Sequence, residues 1–217
     1  MARIYRWHPQ LKASINGPVV NKTPLHLQQS DLDGACGPHC VLMALMLFGI
    51  LSRDEVTAMS SSKREPLANL WKRSSRYYFI GSGPRQLQSV LAPYSDLVTC
   101  KEAKKAPLAQ AAKTLLQDGV CIVGISNDDF SHWVLAVGIG GKEDSDEDTL
   151  LILDPGLPPL PLLPWNSTLS VKASRRGNHR YETALGQAKV VIDAVLLLTS
   201  LGDDHAVLEV DFDIDLG

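Results

Sequence analysis

Apolar positions along this chain change their rhythm part of the way through. In the first ninety or so residues they recur in short stretches at helical spacing, and afterwards they gather into compact runs that read as strands. The clearest helical stretch is 41–48. Val41, Ala44, Leu45 and Phe48 share one face, and Leu42, Met46 and Leu47 fill the others, so a central helix buried on all sides is expected. Just before it, a polar, glycine-bearing turn over 28–34 delivers Cys36 to the helix mouth, with Pro38 near the first helical position. After Gly49, Ser52 followed by Asp54 and Glu55 reads as an N-cap with acids in the first turn of a short helix reaching about residue 60. Pro66 opens a segment holding Leu67, Leu70 and Trp71, and 84–91 reads as one more short helix. Residues 1–27 read as an irregular or edge-strand lead-in, with Asn16-Gly17-Pro18 as a turn.

In the second half, 96–100 reads as a short strand and 107–118 as a helix. Pro107 opens that helix, Leu108, Ala111, Ala112, Leu115 and Leu116 form its face, and Gly119 follows its end. Three strands are then expected, over 120–125, 132–139 and 150–153. A turn at Asn127-Asp128-Asp129 joins the first two, and an acidic, solvated hairpin loop over 140–148 joins the last two. The third strand ends at Asp154-Pro155-Gly156. The proline-rich 157–164 wraps the surface, 189–198 is another strand, and the acidic tail after Asp203 adds an edge strand or frays. With no repeat and no compositional break, one domain over 1–217 is expected. Its class is α+β: an N-terminal helical part, whose buried helix carries Cys36, packed on a C-terminal antiparallel β-sheet.

Composition narrows the partners. A net charge of -3, with 45% hydrophobic and 21% charged residues, supplies no overall basic field for nucleic acid or anionic lipid. The N-terminus lacks the apolar run and small-residue cleavage site of a secretory signal, and stretches such as 190–198 are too short to span a bilayer. Cys36, Cys40, Cys100 and Cys121 have no disulfide-framework spacing, so reduced thiols and a cytoplasmic location are expected. Cys36 and Cys40 with His39 or His26 form one conceivable zinc set, but no second matching pair exists, and no metal or cofactor is expected.

The residues that carry chemistry come in the order Cys36, His132, Asp154. A thiol at a helix start gains from the positive end of the helix, and the thiolate is the attacking form. His132 opens one strand and Asp154 closes the next, so an antiparallel hairpin sets them side by side, where the carboxylate fixes the imidazole and the imidazole takes the thiol proton. Gln29 or Gln28 offers a side-chain amide to an oxyanion, and the Cys36 backbone N–H offers a second donor.

Together these motifs, a glutamine, a polar turn, Cys36-Gly37-Pro38 with an apolar helix, His132-Trp133-Val134-Leu135 and Leu153-Asp154-Pro155-Gly156, resemble papain-like cysteine peptidases. Within them the pattern is most similar to bacteriocin-processing domains that cut double-glycine leader peptides. The resemblance spans about residues 28–156. It implies a papain-like fold, a peptide or protein substrate, Cys36 as nucleophile, His132 as base, Asp154 as orienter and a glutamine in the oxyanion hole. Where the family carries its glutamine this chain has Ser30, with Gln29 and Gln28 one and two residues earlier, and Ala35 stands where aspartate usually precedes the cysteine. The same Cys-His-Asp order also serves amidases, deamidases and acyl or transglutaminyl transferases, and a catalytically silent peptide-binding module would keep it too. Each residue has a plain structural role as well: Cys36 as a small buried side chain, Cys40 as the rival thiol one turn on, Asp154 as a turn former before Pro-Gly, and the glutamines as surface loop residues.

Overall fold

The computed structural model describes residues 3–30, 33–142 and 147–202. In chain order it runs β1 (Arg3–Trp7), β2 (Lys12–Ser14), β3 (Gly17–Val20), β4 (Thr23–Pro24), α1 (Cys36–Leu47), α2 (Arg53–Ala58), α3 (Leu67–Ser74), α4 (Pro84–Leu91), β5 (Val98–Glu102) and α5 (Pro107–Leu116). The rest is strand: β6 (Val120–Ser126), β7 (Ser131–Lys142), β8 (Glu147–Leu153), β9 (Ser167–Ser170), β10 (His179–Thr183) and β11 (Gly186–Ser200). The acidic tail expected after Asp203, and the tip of the acidic loop at 143–146, lie outside the described residues.

α1 is buried at every position except His39, as its uniformly apolar sequence requires. It lies against one face of β6 and β7, where Val120, Ile122, Trp133, Leu135 and Val137 meet Leu42, Met43 and Leu45 in one cluster. Cys121, Val123, Ile125, Val134 and Ala136 point to the opposite face and pack with Leu108, Ala111 and Leu115 of α5. Both faces of these two strands are therefore buried, and that is why they read as unbroken apolar runs rather than alternating ones. Ser52 closes a full capping box with Glu55 at the start of α2.

The sheet is more elaborate than its sequence signals. β6, β7, β8, β9, β10 and β11 pair antiparallel in succession, and β11 returns to β6, so the pairings form a closed ring of six strands. All six contribute to the cluster that includes Leu150, Ile152, Leu169, Tyr181, Val190 and Val195. The N-terminal part is not helical throughout: β1 joins the sheet edge along the later half of β7, and β2 to β4 form a small separate sheet. Among the described residues no helix is long and apolar enough to cross a membrane.

Candidate active site

The turn before α1 is built around Asp33. Its Oδ2 accepts from the Ser30 N–H at 2.9 Å and the Ser30 hydroxyl at 2.7 Å, and its Oδ1 accepts from the Ala35 N–H at 3.0 Å. These donors, and the charge of His39, hold the Asp33 carboxyl below its usual range although burial acts the other way. The turn sets Cys36 at the first residue of the helix, where backbone N–H groups have no intrahelical carbonyl to meet. Cys36 is 8% exposed and lines a cleft of about 640 Å³ together with Gln29, Tyr77, Ile80, Ser82, His132 and Trp133.

His132 is the second residue of β7, and Asp154 is the residue after β8. The register that sets Leu135 opposite Leu153 brings them together, and the His132 Nε2 lies 2.6 Å from Asp154 Oδ1. With Nε2 committed to Asp154, Nδ1 is the nitrogen left for Cys36. Burial opposes the charged imidazole, but the hydrogen bonds to Asp154 and Cys36, and the charges of both, outweigh it and push His132 up to about 10. Burial likewise acts to raise Asp154, and its contacts with His132, Tyr181 and the Gly156 N–H overcome this and hold it below the usual carboxylate range.

Two groups that steady Asp154 carry no sequence signal. The Tyr181 hydroxyl, from β10, donates to Asp154 Oδ2 at 2.5 Å inside the strand ring. Asn166 accepts from the Asp154 N–H at 2.7 Å and donates to the Asp154 carbonyl at 2.9 Å, clasping the backbone on both sides. Gly156 completes the turn: its N–H reaches Asp154 Oδ1 at 2.7 Å, and a Cβ there would sit 3.3 Å from His132 Nε2. A side chain at this position would press on the imidazole.

The two glutamines are placed differently. Gln29 lines the cleft, donates through Nε2 to the Asp33 carbonyl at 3.3 Å, and leaves its Oε1 buried without a partner. Its backbone N–H donates to the Pro155 carbonyl at 2.8 Å, tying the cysteine side of the cleft to the aspartate side. His26 makes a parallel tie, its Nε2–H donating to the Leu157 carbonyl at 2.8 Å, while Arg53 holds the His26 carbonyl at 2.7 Å. Gln28 is exposed and stands apart from the residues lining the cleft. Cys40 is fully buried with its thiol toward the Trp133 carbonyl, and burial pushes it well above the ordinary thiol range, so it stays protonated. The indole N–H of Trp133 donates to the Ser82 carbonyl at 2.7 Å and pins the opposite wall. Among the described residues no group of three or more His, Cys, Asp or Glu side chains is arranged to hold a metal ion.

No protein-family model matches the chain, and no curated protein matches it either. Among solved structures it is similar to UfSP from C. elegans, at a TM-score of 0.42 and 11% identity, over 93% of this chain and 38% of that one. The chain thus spans well under half of that protein's length, and a likeness at this level says nothing about what the chain does.

Proposed function

We propose that the protein is a papain-like cysteine peptidase. The observation that carries this reading is the relay in the cleft: Asp154 grips His132 Nε2 at 2.6 Å, and the other ring nitrogen is left to the Cys36 thiol at a helix N-terminus. The chemistry follows from the charges. An imidazolium beside the sulfur favours the thiolate, which adds to the carbonyl carbon of a peptide bond. The oxyanion that forms is met by the Cys36 N–H and the Gln29 amide, each donor worth about 3 kcal/mol in the transition state. His132 gives its proton to the departing amine, leaving an acyl-thioester on Cys36. The neutral imidazole then takes a proton from water as it attacks the thioester, and the thiolate is released. Asp154 keeps the ring aimed through both halves. The motif likeness to double-glycine leader peptidases favours a polypeptide acyl group over a small amide.

The test is active-site labelling and trapping. Wild-type protein should react with a limiting amount of iodoacetamide at Cys36 far faster than at Cys40, Cys100 or Cys121, and the Cys36→Ala variant should lose both that labelling and any peptide hydrolysis. A trapped thioester whose mass corresponds to a peptidyl adduct supports the peptidase. An acyl group passed intact to an added amine would make the protein a transferase, and a Cys36 no more reactive than the buried thiols would make it a silent binding module.

A further inference from the structure

The chain as a whole is acidic, but residues 63–85 carry six basic residues against one acid, Glu65. The structure concentrates three of these beside the cleft. Lys72, on α3, whose Leu70 and Ser74 are buried, and Arg76, in the 3-10 turn Ser75–Tyr77 that follows it, are both exposed. Arg73 is held in place by neutral acceptors: Asn69 Oδ1 at 2.9 Å, Ser89 Oγ at 2.9 Å and the Ser89 carbonyl at 3.2 Å. Ion pairs among the described residues involve Arg3, Arg6, His132 and Arg180, so none of these three cations is neutralised by an acid at close range. They line a recess of about 240 Å³ whose wall includes Tyr77, and Tyr77 also lines the cleft that holds Cys36.

Immediately beyond Tyr77 the chain forms a tip at Phe79 and Ile80, which are 82% and 80% exposed. The tip is fastened on both sides, by the Gly34 N–H to the Tyr78 carbonyl at 2.5 Å and by Trp133 to the Ser82 carbonyl, and Gly81 turns it with φ of 70°. Two large apolar side chains are thus held out in water on an anchored turn, at a standing cost that burial against a partner would remove.

We propose that this strip, from Lys72, Arg73 and Arg76 through Tyr77 to Phe79 and Ile80, docks the substrate, a polypeptide bearing acidic and apolar side chains next to the bond to be cut. The inference rests on the peptidase reading for the word substrate, and on charge complementarity and continuity with the cleft for the rest. Because Tyr77 and Ile80 line the cleft itself, a chain lying across Cys36 passes directly over the strip. An anionic membrane is disfavoured: a flat bilayer would cover the cleft, and the net charge of -3 repels it.

The test uses the full chain and two flexible Gly-Ser peptides, one carrying glutamates and leucines and the other lysines in place of the glutamates. Binding is read by fluorescence anisotropy, and position by how far bound peptide slows iodoacetamide labelling of Cys36. The glutamate peptide should bind, protect Cys36 and weaken as salt is raised, and the lysine peptide should bind about tenfold more weakly. Combined Lys72→Glu and Arg76→Glu should reverse the preference, a gain for the lysine peptide that mere misfolding cannot produce. Phe79→Ser with Ile80→Ser should weaken both peptides. Equal binding of the two peptides, an unchanged preference in the charge-reversed protein, or protection by phosphatidylserine-containing vesicles in place of peptide would overturn the proposal. Labelling of wild-type protein without peptide reports on the thiolate alone, and anisotropy is read without it, so the two readings fail separately.

Discussion

Replacing Tyr181 with phenylalanine removes one oxygen from a fully enclosed position and leaves the ring packed as before. Among the described residues that oxygen is the only donor to Asp154 Oδ2, while Oδ1 keeps both His132 and the Gly156 N–H. Asp154 and Tyr181 are 4% and 5% exposed, so water does not readily replace the lost donor. One hydrogen bond to a charged group in such a place contributes about 1.5–3 kcal/mol. For a chain of this size a loss of about 2 kcal/mol corresponds to a fall in melting temperature of about 4–8 °C. The pH dependence identifies the cause. A carboxyl whose folded pKa is depressed stabilises the fold above its unfolded value of 3.8, and that contribution disappears as pH falls through the folded value. Tyr181 is one cause of the depression, so in the phenylalanine variant the folded pKa rises toward 3.8 and the deficit is greatest near neutrality. Thermal melts of both proteins from neutral to acid pH should show the gap closing on the acid side. A gap of the same size at every pH, or none at neutrality, would refute the assignment of this hydrogen bond to an ionised Asp154.

Three further outcomes are expected. Gln29→Ala should lower kcat/KM for peptide hydrolysis by about 100–1000-fold while iodoacetamide still labels Cys36, because alkylation develops no oxyanion; if the two fall in parallel, Gln29 is not the donor. With His132 raised to about 10 from 6.5, the proton needed by the leaving amine is retained until pH climbs through about 10, so the basic limb of the hydrolysis profile should lie there. Asp154→Asn should draw that limb down toward 6.5, and an unmoved limb would detach Asp154 from the imidazole. Gly37→Ala places a methyl group 2.8 Å from Leu87 Cδ2 and closer still to the Ser82 hydroxyl, an overpacking that should cost about 1–3 kcal/mol in urea unfolding.

Sequence periodicity located α1, α5 and the three strands around the hairpin because each is an uninterrupted apolar pattern between strong stop signals. The juxtaposition of His132 and Asp154 was legible for the same reason, since antiparallel neighbours leave little freedom in register. Other features were hidden by physics that no local pattern records. β9 and β10 are short, and Ser167, Thr168, Arg180 and Glu182 give them a polar look; they hold as strands because the ring gives each a partner on both sides. β5 begins at Val98, two residues after the predicted start, where pairing with β11 sets the limit. Tyr181 lies 27 residues from Asp154, and only ring closure brings the two together. Which glutamine lines the cleft is a matter of space rather than spacing: the Gln29 backbone is tied to Pro155 and its side chain lines the cleft, while Gln28 stands outside it.

The ties that cross the cleft join parts of the chain made far apart in time. His26 reaches the Leu157 carbonyl across 131 residues, and Gln29 reaches Pro155 over a similar span. A ribosome-bound chain that has already exposed Cys36 lacks the strands that bring His132 and Asp154 to it. The grouping of Cys36, His132 and Asp154 exists only once the tertiary structure is complete, so on the proposed peptidase reading a half-made copy lacks the means to cut its neighbours.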